Sequence, residues 1–133
     1  MKHDFEKTIV IALGGSIIFP KEGIDWNFLK KFRSFIEKQI KLGRKFVIIT
    51  GGGSICRTYQ NAASKVVFLR DKDKDWLGTH VTRLNAHLLR TVFWDIADPV
   101  VIDERYKCKK LKYPITISGG WKPGASSDRV AMW

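Results

Sequence analysis

The sequence predicts an α/β fold in which helices flank a parallel sheet. Three observations carry this. Short apolar runs alternate with longer stretches of helical periodicity. The runs are apolar on both sides, as in strands covered on both faces. Three of them end in consecutive glycines, at Gly14-Gly15, Gly51-Gly52-Gly53 and Gly119-Gly120.

Thr8–Leu13 is the first strand, rich in β-branched residues. Asp25 is a good N-cap for a helix reaching about Leu42, with Leu29, Phe32, Ile36 and Ile40 on one face and Gly43 closing it. Lys45–Thr50 is the second strand. A shorter helix is expected from Ser54 to about Ala63. The alternating charges of 70–75 read as a solvated turn. The next helix is expected from about Trp76 to Phe93, with Leu77, Val81, Leu84 and Leu88 as its apolar stripe. Pro99–Ile102 and Pro114–Ser118 are the remaining strand candidates.

The chain has 133 residues, 44% of them hydrophobic and 28% charged, which excludes a disordered tail or a low-complexity segment. Its length suits a single domain that needs no disulfide or metal staple. No apolar run approaches the ~20 residues that span a bilayer, and the first residues have no signal-peptide pattern. Cys56 and Cys108 form no CxxC pair and read as free thiols in a reducing cytoplasm. Twenty-four Lys and Arg against 13 Asp and Glu give a net charge of +11, which suits phosphorylated ligands or nucleic acid. The lysines of 107–112 read as a solvated loop, because no second basic block joins them in the sequence.

The glycine turns are the chemical signal. In an open parallel sheet, ligands bind beyond the carboxyl ends of the strands. Glycine lets backbone N–H groups approach a phosphate, and a helix that follows adds its N-terminal dipole. Gly51-Gly52-Gly53-Ser54 entering a helix fits this description, with Gly14-Gly15-Ser16 as a second anion loop and Gly119 to Asp128 as a third. No GxxxxGK[ST] string occurs, which excludes a P-loop. His80 and His87, seven apart on one helix, lack the i, i+4 spacing of a metal pair.

These strings resemble the amino-acid kinase superfamily, and within it the archaeal-type uridylate (UMP) kinases. The matching segments are Ile11-Ala12-Leu13-Gly14-Gly15-Ser16, Ile49-Thr50-Gly51-Gly52-Gly53-Ser54 with Arg57, Asp75-Trp76-Leu77-Gly78 leading to Thr82-Arg83-Leu84-Asn85-Ala86, and Ser118-Gly119-Gly120-Trp121-Lys122-Pro123-Gly124 with Ser126-Ser127-Asp128.

The resemblance implies a three-layer fold and phosphoryl transfer from ATP to UMP, with Mg2+ arriving on the nucleotide. It implies that Gly14, Gly15 and Ser16 line the path of the phosphoryl group. Gly51, Gly52 and Gly53 hold phosphates, with Arg57 neutralising charge nearby. Asp75 takes the ribose hydroxyls, and Gly78 belongs to the same substrate-binding set. Gly119, Gly120, Trp121, Ser126, Ser127 and Asp128 wrap the nucleoside. Such transfer needs positioning and charge neutralisation rather than a covalent nucleophile. Many relatives place a lysine in the first strand where this chain has Ala12, and Lys122 is the substitute in the best place.

Residues 1–133 are accordingly expected to be the N-terminal, acceptor-binding part of such a kinase, with the C-terminal ATP-binding part absent. Turnover would then be impaired, and the alternatives are a nucleotide- or anion-binding half-domain without turnover or a kinase for another small phosphate acceptor. A cytoplasmic homo-oligomer is expected, assembled through the helix near Trp76–Phe93, with membrane and nucleic-acid partners not expected.

Overall fold

The computed structural model describes residues 8–18, 20, 23–103 and 111–120. Strand β1 (Thr8–Leu13) leads into a short helix, α1 (Gly15–Ile18), then α2 (Trp26–Lys41) and β2 (Lys45–Thr50). Helices α3 (Ser54–Val66) and α4 (Asp71–Val92) follow, and β3 (Ile115–Ser118) completes the sheet. The strands lie in the order β1-β2-β3 and both pairings are parallel.

Strand β2 is central, and registers Leu13↔Thr50 and Ile49↔Ser118 bring the three strand ends to one edge. One face carries Ile9, Ile11, Leu13, Phe46, Ile48, Ile115 and Ile117, which join Leu29 and Ile36 of α2 and Ala86 and Leu89 of α4 in the main core. On the other face Val10 is 49% exposed at the sheet edge, yet Ile49, Thr116 and Ser118 are buried. The sheet is therefore covered at its centre on both faces, as the middle layer of a three-layer fold.

Asp25 caps α2 as expected, its side chain accepting from the Phe28 N–H at 3.0 Å. Gly43, at φ +87°, then turns the chain into β2. Three expectations are corrected. Residues 71–75 are not a turn but the start of α4, where Asp71 and Asp73 favour the positive end of the helix dipole. The stretch 99–102 forms no strand, and only Ile102 bridges to Ser118. Leu84 is 61% exposed rather than part of the buried stripe, which instead includes Thr79, Val81, Asn85, Ala86 and Leu89.

Helices α2 and α4 are clamped by Arg33. Its guanidinium binds both carboxylate oxygens of Asp95 at 2.9 Å and donates to the Val92 carbonyl at 2.6 Å. The hydrogen bond from Arg33 holds the Asp95 carboxyl below the usual aspartate range. A depressed folded-state pKa contributes stability above the unfolded value and loses it as pH falls through the folded one. The stability difference between the native chain and Asp95→Asn is expected to be constant from pH 5 to 8 and to shrink below about pH 4. Urea midpoints across that range check this.

Candidate functional site: three glycine turns at one sheet edge

The site is built where β1, β2 and β3 end. The Gly51 N–H donates to the Leu13 carbonyl at 3.1 Å, tying the second turn to the first. Gly15 lies against the backbone of Gly51, Gly52 and Gly53 so closely that a β-carbon there would be 2.6 Å from the Gly51 carbonyl carbon. Only a residue without a side chain lets the two turns touch. Gly14 and Ser16 flank this contact and are exposed.

Gly53 is the N-cap of α3 at φ +76°, a conformation that glycine adopts readily. The cap residue has no side chain to accept from the helix, and no acidic residue sits in the first turn. Such a terminus favours an anion through its amides and dipole. Arg57 follows one turn later, exposed. It lines a cleft of about 480 Å3 with Gln60, Asn61, Ser64, Asp71 and Lys74 among others.

Helix α4 fastens the turns from behind. Asn85, 2% exposed, donates through Nδ2 to the carbonyls of Gly51 at 2.8 Å and Gly52 at 3.1 Å. Thr50 Oγ1 donates to the Thr82 carbonyl at 2.8 Å. Thr82 Oγ1 accepts from the Gly120 N–H at 2.8 Å and donates to the Thr79 carbonyl at 2.7 Å. Arg83 Nε donates to the Gly120 carbonyl at 2.8 Å. A β-carbon on Gly119 would meet Arg83 Cα at 2.9 Å, and one on Gly120 would meet Thr82 Oγ1 at 2.6 Å. Here the glycines make room for α4.

Asp75 lies in the second turn of α4, exposed, on the helix face it shares with Asp71, Lys74 and Gly78. A β-carbon on Gly78 would lie 3.5 Å from Cys56 Sγ, and one on Gly52 would lie 3.1 Å from Cys56 Cβ. Cys56 thus packs between the second turn and α4. Burial pushes its thiol pKa up against the pull of Arg57 and Lys74, which favours the protonated form.

Gly14, Gly15, Ser16, Gly51, Gly52 and Gly53 therefore converge, and α4 joins Gly119 and Gly120 to them. Arg57 and Asp75 sit one layer out, on facing helices. Trp121, Lys122, Ser126, Ser127 and Asp128 lie outside the described residues. The sequence reading assigned no role to Thr79, Thr82, Arg83 and Asn85. Their signal was a run of polar residues inside a helix that must bury one face.

A model of the amino acid kinase family matches residues 7–106. The chain belongs to the amino acid kinase family. It is 34% identical over 126 residues to the uridylate kinase of Thermococcus kodakarensis, covering 92% of this chain and 54% of that protein. It is 35% identical over 127 residues to the uridylate kinase of Methanoregula boonei, covering 94% of this chain and 53% of that protein. The crystal structure of uridylate kinase from Archaeoglobus fulgidus shares the fold, with a TM-score of 0.76 at 24% identity over 96% of this chain and 56% of that one. This amino acid kinase chain spans about half the length of the curated relatives it matches. Among the described residues, no helix is long and apolar enough to cross a membrane.

Proposed function

We propose that this chain supplies the acceptor-phosphate site and the phosphoryl path of a nucleoside monophosphate kinase, with UMP as acceptor and ATP as donor. The observation that carries the reading is the contact of the Gly14-Gly15 turn with Gly51–Gly53, at a helix terminus that has neither a side-chain cap nor an acid. Backbone N–H groups there suit a phosphate, and the Arg57 guanidinium suits its charge. Asp75, exposed on α4, suits the ribose hydroxyls. Mg2+ is proposed to travel on the donor phosphates, where it would neutralise charge.

Arg57→Ala is expected to weaken UMP binding by about 1.5 kcal/mol, the low end for a hydrogen bond to a charged group, since the side chain is exposed. Calorimetry checks this, and unchanged affinity removes Arg57 from the site.

A second reading is nucleotide binding at the same glycine turns without turnover. A coupled assay with ATP and UMP separates the two. For assembly we propose self-association through α4, where Trp76 (38% exposed) stacks on His80 at 5.4 Å and Leu84 lies further along the same face.

A further inference from the structure

A separate concavity of about 330 Å3 lies at the other end of the sheet, where β2 and β3 begin. Ile40, Gly43, Arg44, Lys45, Lys112 and Pro114 line it. The six residues of β2 put it roughly 17 Å from the glycine turns, at ~3.3 Å per residue. The fold brings Lys112, the last residue of a lysine-rich stretch of sequence, to a second basic block 67 residues away at Lys45. Lys38 and Lys41 add charge in the last turn of α2.

Arg44, Lys45 and Lys112 bring three basic side chains to this cleft. Arg44 is held in place by a hydrogen bond to Gln39 Oε1. The Phe46 N–H donates to the Pro114 carbonyl at 2.8 Å, so one backbone bond fixes the two walls relative to each other. Like charges gathered in a concave surface focus potential and attract an anion of matching charge.

We propose that this cleft is a second anion site, distinct from the glycine turns, that takes the di- or triphosphate group of a small ligand. Its volume is at the low end for small-molecule sites. Surfaces that track single-stranded nucleic acid add aromatic platforms for the bases. A concavity of this size suits a compact phosphate chain rather than an extended strand.

The test is a titration of the isotope-labelled 133-residue chain with sodium tripolyphosphate, read at the backbone amides of Gly43, Arg44 and Lys45. Saturable shifts are expected. Lys112→Gln, an exposed change that spares the core, should raise the apparent Kd about threefold to fivefold, as for one exposed ion pair. Arg44→Gln combined with Lys112→Gln should abolish saturation while the rest of the spectrum stays native. Lys31→Gln, on an exposed part of α2, should change nothing. Absent or non-saturating shifts in the native chain overturn the site. So does an equal loss in Lys31→Gln, which would show a general charge effect. A ten-nucleotide single strand that moves these amides at lower concentration than tripolyphosphate would make the surface a nucleic-acid one and end the proposal. None of these readings depends on whether UMP binds at the glycine turns.

Discussion

Gly15→Ala is expected to lower the unfolding free energy by about 3 kcal/mol, the upper end for overpacking. The reason is the nature of the obstacle. The new β-carbon meets the carbonyl carbons of Gly51 and Gly52 and the nitrogen of Gly53, and backbone cannot rotate aside as a long side chain does. Either the first turn lifts off the second or β1 shifts against β2. Both outcomes open the proposed phosphoryl path, so UMP binding should fall with stability. Gly14→Ala is the internal control, because a β-carbon there meets nothing within 4 Å and its φ is not in the left-handed region. It should cost less than about 0.5 kcal/mol, within the range of ordinary surface changes. Denaturant midpoints of the two variants check the contrast, and equal losses would mean that the first two turns are not in contact.

The second large effect is expected at Asn85. Its amide satisfies two glycine carbonyls from a buried position, so Asn85→Ala leaves both without that donor. An unsatisfied buried polar group costs about 1–3 kcal/mol, and a small cavity adds to it. We expect about 3 kcal/mol in stability and a weaker hold on UMP, because the Gly51-Gly52 peptides lose the bonds that orient their N–H groups. Thermal unfolding and calorimetry check the two parts separately. Lost stability with unchanged UMP affinity would make Asn85 a fold residue only.

These two residues show what a sequence does and does not display. Strands β1 and β2 were legible to the residue, because a two-sided apolar run that stops at glycines has few other readings. Helix α2 was legible through Asp25 and its regular apolar face. Helix α4 was harder, since its buried face includes the polar residues Thr79 and Asn85, the latter satisfied by glycine carbonyls that accept from its amide. Apolar spacing points to Leu84 instead, which faces outward. Its first turn was hidden for a related reason. Alternating charges look like a solvated loop until the helix dipole is considered. Helix α3 buries no residue fully, so periodicity gave little hold on its end, and it runs on to Val66. At the site, convergence of the glycine turns followed from strand polarity, whereas the supporting bonds from α4 required knowing which helix lies behind them.

The parallel sheet also constrains how the chain reaches its native state. Neither strand pair is joined by a hairpin, and Thr8 must find Lys45 and Phe46 must find Ile115 across intervening helices. Loop closure is therefore paid before any ladder bond repays it, which slows the search for the native topology. Helix α2 carries its own cap and can gain structure locally, offering β1 and β2 an apolar surface on which to collect. Strand β3, paired across the longest gap, is the natural last arrival. Until it docks, the edge of β2 is open to strands of other chains, so refolding yield should depend on protein concentration more steeply than the native structure alone suggests.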